Sequence, residues 1–473
     1  MAIPGASYSI TVRLQVPADP TAVGLLTTAV GSAGGAVTAL DVVESHPDHL
    51  VVDLTCAAND AGHAEGVTAA LAAVGGVTIR KVSDRTFLLH LGGKIEVRSK
   101  VPLRTRDDLS MAYTPGVARV CLAIAAQPAD ARSLTIKRNS VAVVTDGSAV
   151  LGLGNLGPEA ALPVMEGKAA LFKRFGNIDA WPICLDTQDV DEIVRTVQLI
   201  APVFGGINLE DIAAPRCFEV ERRLRELLDI PVFHDDQHGT AIVVLAALTN
   251  ALRVVGKELP DVRIVLAGAG AAGTAVLKLL LHAGAVDVVV CDVAGVVHAG
   301  RSDLDQNLRW IAGHTNPRGT VGTLHEALPG ADVFIGVSAP NILTGEHIAT
   351  MAPESIVFAL ANPDPEVDPQ EARKHAAVVA TGRSDEPNQI NNVLAFPGVF
   401  RGLLDARARD ITVELERAAA MALAAVVDES RLNPTFIVPS VFDEKVVTAV
   451  AAAVTMAVEH GGAEQIAVSE DLT

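Results

Sequence analysis

Residues 263–292 read RIVLAGAGAAGTAVLKLLLHAGAVDVVVCD, and this stretch decides the fold. The apolar run 263–266 reads as a buried strand, 275–283 as an apolar helix and 286–290 as a second strand. Between the first strand and the helix lies Gly268-Ala269-Gly270-Ala271-Ala272-Gly273, a full G-x-G-x-x-G. Its first glycine permits a tight turn, its second lets the backbone approach a pyrophosphate, and its third allows close helix–strand packing. The helix then begins with free N–H groups that face phosphate oxygens. Asp292 closes the second strand about 20 residues on, where an acid that binds a ribose hydroxyl belongs. Gly268, Gly270, Ala271, Ala272, Gly273 and Asp292 are therefore the candidate dinucleotide-binding residues. The acid favours NAD over NADP, because a 2′-phosphate would meet its charge, while Arg301 nearby softens that preference.

Strand-like runs continue at Val333–Gly336, Ile356–Ala359 and 378–380, and from about residue 396 the chain reads as helical. Upstream, Ser140–Thr145 (SVAVVT) runs into Asp146-Gly147, and 180–185 (AWPICL) runs into Asp186. Shorter candidates at 205–209 and 231–233 each lead into acidic residues. Chemistry at the C-terminal ends of parallel strands is where an α/β fold places its site. The first ninety residues alternate apolar and polar at Ile10, Val12, Leu14 and Val16. They then read as helix 21–30, strands 37–44 and 50–56, helix 61–74 and strand 77–82. The order βαββαβ is ferredoxin-like and resembles a small ACT-type regulatory domain, for which an amino-acid or other metabolite effector is the expected ligand.

A chain of 473 residues suggests about three domains and has ample core. Hydrophobic residues at 49% exclude a disordered chain, and aromatics at 3% leave little for stacking single-stranded nucleic acid. The net charge of −19 argues against polyanionic partners, so no nucleic acid is expected. The five cysteines are scattered without a C-x-x-C spacing, which speaks against a zinc cluster or a disulfide framework. The N-terminus lacks the pattern of a signal peptide, and apolar runs such as 446–458 are too short to span a bilayer. A soluble cytoplasmic protein with no membrane association is the expectation.

Two acidic knots stand out, Asn208-Leu209-Glu210-Asp211 and Phe233-His234-Asp235-Asp236-Gln237-His238-Gly239-Thr240. Adjacent carboxylates repel unless solvated or compensated by a cation, and oxygen-only sites suit Mg²⁺ or Mn²⁺. Spacing alone does not say which oxygens ligate; His234 and His238 read as packed neighbours before ligands. The chain has two tyrosines and ten lysines. Tyr113 lies in SMAYTPGVA beside a turn signal, and Lys168 lies beside an apolar run, where desolvation would lower its pKa towards that of a useful base. Both are candidates for proton transfer.

Together the motifs LSMAYTPGVA, VVTDGSAVLGLGNLG, VMEGKAALFKRFG, NLEDI, FHDDQHGT, GAGAAG, FALANPDPE and NQINNVLAFPG resemble the malic enzymes, over about residues 92–407. The likeness is to the bacterial type of moderate length with an N-terminal ACT-like domain. It implies an α/β chain: a small ferredoxin-like domain at 1–90, a catalytic, metal-binding domain at 91–239, a Rossmann-type NAD-binding domain at 240–400, and a helical segment at 401–473 packing back on the catalytic part. It also implies that Tyr113 is the proton donor, Lys168 the base, Glu210, Asp211 and Asp236 the metal carboxylates, and Asp235 a support for proton transfer. Asn362, Asn391 and Asn392 match asparagines that hold substrate and nicotinamide. The implied activity is metal-dependent oxidative decarboxylation of L-malate with NAD, or alternatively NADP, in a homodimer or higher homo-oligomer. One departure is that Ser148-Ala149-Val150 stands where larger members carry an arginine for a malate carboxylate. FHDDQHGT likewise departs from the FNDDIQGT-like form of those members. Two rival readings share parts of the pattern: another metal-dependent hydroxy-acid decarboxylating dehydrogenase, and a metal-independent amino-acid-type dehydrogenase.

Overall fold

The computed structural model describes residues 8–462 and divides into two compact units, one ending at Glu96 and the other beginning at Val97. In the N-terminal unit β1 (Tyr8–Pro17), β2 (Ala36–Ser45), β3 (His49–Ala58) and β4 (Thr78–Asp84) form an antiparallel sheet in the order β2-β3-β1-β4. The alternation foreseen in β1 turns Ile10, Val12, Leu14 and Val16 to one face. There they pack with Leu26 and Val30 of helix Ala22–Ser32 and Val67 and Leu71 of helix Ala61–Ala72. This is the ferredoxin-like order.

The larger unit holds two sheets. The first contains β5 (Ser140–Thr145), β6 (Asp179–Cys184), β7 (Gly206–Leu209) and β8 (Val232–His234), all parallel, in the order β6-β5-β7-β8. Every residue of β5 is buried, as a central parallel strand covered on both faces requires. The second contains β9 (Arg263–Ala267), β10 (Asp287–Asp292), β11 (Gly295–Val296), β12 (Val333–Gly336), β13 (Ile356–Ala359) and β14 (Val378–Thr381) in the order β11-β10-β9-β12-β13-β14. It is parallel apart from β11, a two-residue antiparallel edge on β10 that the sequence pattern was too short to reveal. The sheet reverses direction of growth between β9 and β12, the switch point at which nucleotides bind.

Helix Thr240–Val255 joins the sheets and is buried over most of its circumference. One continuous core runs from Val141 and Phe172 through Leu245 and Leu280 to Phe358, Phe400, Leu423 and Val450. The last three lie on helices Phe396–Asp405, Val413–Ala425 and Glu444–Ala457. Two apolar helical stretches, Arg106–Ala126 and Asp235–Val255, are longer than the sequence reading allowed and long enough to cross a membrane by length and composition. The second is the core helix just described. The first is broken at Thr114-Pro115-Gly116 into helices Arg106–Ala112 and Val117–Ala126. All five cysteines are free.

Candidate active site

β7 and β8 of the first sheet deliver their C-terminal ends to one place. β7 ends at Glu210-Asp211, where the backbone turns through a positive φ of 54° at Asp211. β8 ends at Asp235-Asp236, in the turn Asp235–Gly239 that opens helix Thr240–Val255. Gly239 is obligatory there, because a Cβ would run into the Asp235 carboxylate. The carboxylates of Glu210, Asp211 and Asp236 each offer an oxygen within 4.8 Å of the others. The Asp211 backbone N–H donates to Asp236 Oδ2 at 2.9 Å, and Asn208 Nδ2 donates to Glu210 Oε2 at 2.9 Å.

Burial and mutual repulsion raise the proton affinity of two of these acids. Burial and then the neighbouring Asp236 push Asp211 up to about 7. Burial likewise holds Glu210 well above the usual carboxylate range, against the pull of Lys168. Asp211 Oδ2 is buried without a hydrogen-bond partner. Clustered carboxylate oxygens, one of them orphaned, and raised affinity for protons are what a hard divalent cation would relieve. The residues present fit Mg²⁺ or Mn²⁺.

Lys168 projects from helix Pro158–Gly176 into this cluster. Its Nζ lies 2.5 Å from Asp235 Oδ2 and 2.9 Å from Glu210 Oε1, and 4.2 Å from the centroid of the Phe396 ring. Asn392 Nδ2 also donates to Asp235 Oδ2. The expectation that an apolar setting lowers the lysine pKa is reversed. Burial does act in that direction, but the charges of Asp235 and Glu210 outweigh it and hold the ammonium well above its ordinary value. The apolar neighbours in sequence were visible; the carboxylates that reach Lys168 through space were not.

The other foreseen residues fall into two groups. Around the glycine loop, Gly268 has φ +115° and a Cβ there would lie 2.5 Å from the Val337 carbonyl. A Cβ on Gly273 would run into the Gly268 carbonyl, and one on Gly270 would meet only open space. Gly270 caps helix Ala271–Ala283, so Ala271 and Ala272 form its first, open turn. The loop thus has the bare backbone and free helix N-terminus that a dinucleotide pyrophosphate fits. Asp292 is gripped by Arg301, whose Nη1 and Nη2 lie 2.7 and 2.8 Å from its two oxygens; Arg301 also pairs with Asp303 at 2.6 Å. Asn362 follows β13, with its carbonyl where a Cβ on Gly152 would come within 3.0 Å. Asn391 accepts from the Val393 N–H at 3.0 Å, so it shapes the turn, and Asn392 is the one that reaches Asp235. Tyr113 is not brought to the cluster: it ends helix Arg106–Ala112 and is 67% exposed.

Several partners escaped the sequence reading. Buried Glu366, inside the quoted FALANPDPE, accepts from Ser338 N at 2.9 Å and Ala361 N at 3.0 Å, tying the ends of β12 and β13 together beside Asn362. His238 is no ligand: its ring nitrogens lie 2.5 Å from Glu221 and 2.8 Å from Glu416. Those acids sit far away in sequence, and nothing local marks them. His234 is buried in β8 with Nδ1 3.8 Å from Asp236. Arg216 reaches Asp146 at the end of β5, Nη2 to Oδ2 3.2 Å.

Residues 92–225 match the family model of the malic enzyme N-terminal domain, and residues 237–460 that of the malic enzyme NAD-binding domain. An NAD-dependent malic enzyme of Geobacillus stearothermophilus is 57% identical over 465 residues, 98% of this chain and 97% of that one. A bifunctional malic/malolactic enzyme of Bacillus subtilis is 53% identical over 82% of this chain and 97% of its own. Among solved structures, the NAD-dependent malic enzyme of Thermotoga maritima superposes with a TM-score of 0.76 at 48% identity, covering 79% of this chain and 99% of that chain.

Proposed function

The chain belongs to the malic enzyme family, and from that premise we propose how its residues carry out the oxidative decarboxylation of L-malate to pyruvate and CO₂ with reduction of NAD. The observation that carries the proposal is Lys168, clasped by Asp235 and Glu210 at the edge of a three-carboxylate cluster. Glu210, Asp211 and Asp236 would hold Mg²⁺ or Mn²⁺, which would supply Lewis-acid polarisation of the substrate oxygens. Lys168 takes the proton of the malate hydroxyl as hydride leaves the adjacent carbon for the nicotinamide. Asp235 and Asn392 fix the direction of its Nζ. The β-keto acid then loses CO₂, and Tyr113 gives a proton to the enolate carbon. The glycine loop at 268–273 and Asp292 hold the dinucleotide, with Asn362 and the Asn391–Asn392 turn facing substrate and nicotinamide. NAD is the favoured cofactor, because Asp292 would repel the phosphate of NADP.

The N-terminal ferredoxin-like unit is read as an ACT-like module for an amino-acid or related effector, and the working protein as a cytoplasmic homodimer. The assay is NADH formation from L-malate with and without Mn²⁺. Lys168→Ala is expected to abolish turnover while NAD binding, followed by fluorescence, survives. Full turnover in that variant, or turnover that survives EDTA, refutes the assignment.

A further inference from the structure

Glu366 is a buried carboxylate that no step of the mechanism uses. It follows β13, is 0% exposed, and is held by hydrogen-bond donors. The Ser338 N–H and hydroxyl donate to Oε1 at 2.9 and 3.2 Å, and the Ala361 N–H donates to Oε2 at 3.0 Å. Among the described residues no lysine, arginine or histidine forms an ion pair with it. Burial pushes its carboxyl above the ordinary range in spite of these donors. A carboxylate taken out of water without a cation is costly, so its presence here calls for a cause.

Joining β12 to β13 is not that cause. The strands already pair in parallel from Val333–Ile356 to Gly336–Ala359, and the Leu360 N–H donates to the Gly336 carbonyl at 3.0 Å. The carboxylate acts past this last ladder bond, where the two chains part. On the β12 side, the Val337 N–H donates to the Ala267 carbonyl at 2.9 Å, and the Val337 carbonyl lies 2.5 Å from where a Cβ on Gly268 would stand. Ser338 is thus one residue from the wall of the glycine loop. On the β13 side, Ala361 precedes Asn362. The Asn362 carbonyl lies 3.0 Å from where a Cβ on Gly152 would stand, and its side-chain oxygen 3.3 Å from the same position on Gly382. Oε1 therefore holds the dinucleotide wall and Oε2 the substrate wall. Gly336 leaves room for this, because a Cβ there would lie 2.4 Å from the Glu366 carboxyl carbon. The backbone that carries the carboxylate is itself anchored: the Pro365 and Glu366 carbonyls accept from the Asn341 and Leu343 N–H groups, both at 2.9 Å.

We propose that Glu366 is a positioning residue for hydride transfer, its two oxygens fixing the distance between the Ser338 wall, beside which the dinucleotide lies, and Asn362. This rests on the functional reading above, in which Asn362 faces substrate and nicotinamide. Hydride leaves the hydroxyl-bearing carbon with its electron pair for the nicotinamide ring. The two carbons must stand about 3–3.5 Å apart, and a misplacement of about 1 Å costs roughly 10²-fold. Loss of CO₂ differs, because the bond that breaks lies inside the keto acid and nothing on the dinucleotide wall takes part. Glu366 therefore acts on one half of the reaction.

The test separates the halves. Glu366→Gln keeps the shape but turns an N–H donor towards one of the two backbone N–H groups, which opens that side of the clamp. Wild type and variant are compared with Mn²⁺ in three measurements. These are single-turnover NADH formation from L-malate and from malate deuterated at the hydroxyl-bearing carbon, decarboxylation of oxaloacetate, and NAD binding by fluorescence. In the variant NADH formation is expected to fall roughly tenfold or more and to slow further with the deuterated substrate. Oxaloacetate decarboxylation is expected to stay within about twofold of wild type, with NAD still bound. Equal losses in both reactions overturn the proposal, because a general disturbance of the site moves both. Undiminished NADH formation overturns it too, as does slowed formation without a deuterium effect. Gly336→Ala leaves the carboxylate in the chain and displaces it with a methyl group. It serves where Glu366→Gln does not fold, with the same split expected and the same outcomes refuting the role. A wild-type chain that forms no NADH from malate refutes the functional reading and this role with it, whereas an active wild type with an even loss in the variant refutes the role alone.

Discussion

His238 lies two residues beyond Asp236 and is enclosed by acids from two distant helices. Its Nε2 is 2.5 Å from Glu221 on helix Arg216–Leu227, and its Nδ1 is 2.8 Å from Glu416 on helix Val413–Ala425. Burial opposes the imidazolium, but the two carboxylates outweigh it and lift the ring from 6.5 to about 10. At about 1.4 kcal/mol per unit, that rise corresponds to roughly 5 kcal/mol. Removing one partner of a buried ion pair costs about 3–5 kcal/mol by an independent route. The group is a base raised above its unfolded value, so its contribution is complete below 6.5 and fades as the pH climbs towards 10. His238→Gln keeps one hydrogen bond and strands a buried carboxylate. Thermal unfolding at several pH values, with Mn²⁺ and with EDTA, is the assay. At pH 6.5 the variant is expected to melt roughly 5–10 °C below wild type, and the two curves to converge towards pH 10. Equal melting temperatures at pH 6.5, or parallel curves over the whole range, would show that the clamp carries no such energy.

Two further outcomes follow from the nucleotide side. Arg301 is saturated by Asp292 and Asp303, so a 2′-phosphate meets one net negative charge; Asp303→Asn is expected to leave a neutral pair and raise kcat/KM for NADP roughly tenfold with little change for NAD. An unchanged NADP/NAD ratio refutes this role of Asp303. Gly273→Ala would place a methyl against the Gly268 carbonyl; it is expected to weaken NAD binding at least tenfold, measured by fluorescence titration, with metal binding intact.

The parts legible in the sequence were those with local causes. Strands of both parallel sheets announce themselves as short apolar runs, because covered parallel strands are apolar on both faces, and those of the first sheet run on into acids. The glycine loop is legible because each glycine answers a separate steric demand. The knots at 208–211 and 233–240 pointed to the cluster, since strand ends of one sheet converge in any α/β fold. What stayed hidden depends on contacts between distant segments. Glu221 and Glu416 look like solvated helix acids until His238 is packed between them. Glu366 looks like the tail of a motif until two backbone N–H groups converge on it.

The reversed pKa of Lys168 links these observations to the chemistry. A lysine held far above its ordinary value cannot take a proton, and what holds it there is the charge of Asp235 and Glu210. Only one of the two, Glu210, also belongs to the three-carboxylate cluster. When the cluster's charge is neutralised by a divalent cation, the field that pins the proton on Lys168 shrinks, and burial, which pulls the other way, gains weight. Asp235 then remains as the single carboxylate 2.5 Å from Nζ, with Asn392 sharing its oxygen, enough to aim the amine without saturating it. The same acids that would bind the cation therefore set the basicity of the lysine. Binding of a cation and the basicity of the lysine would thus be coupled through Glu210, which faces both.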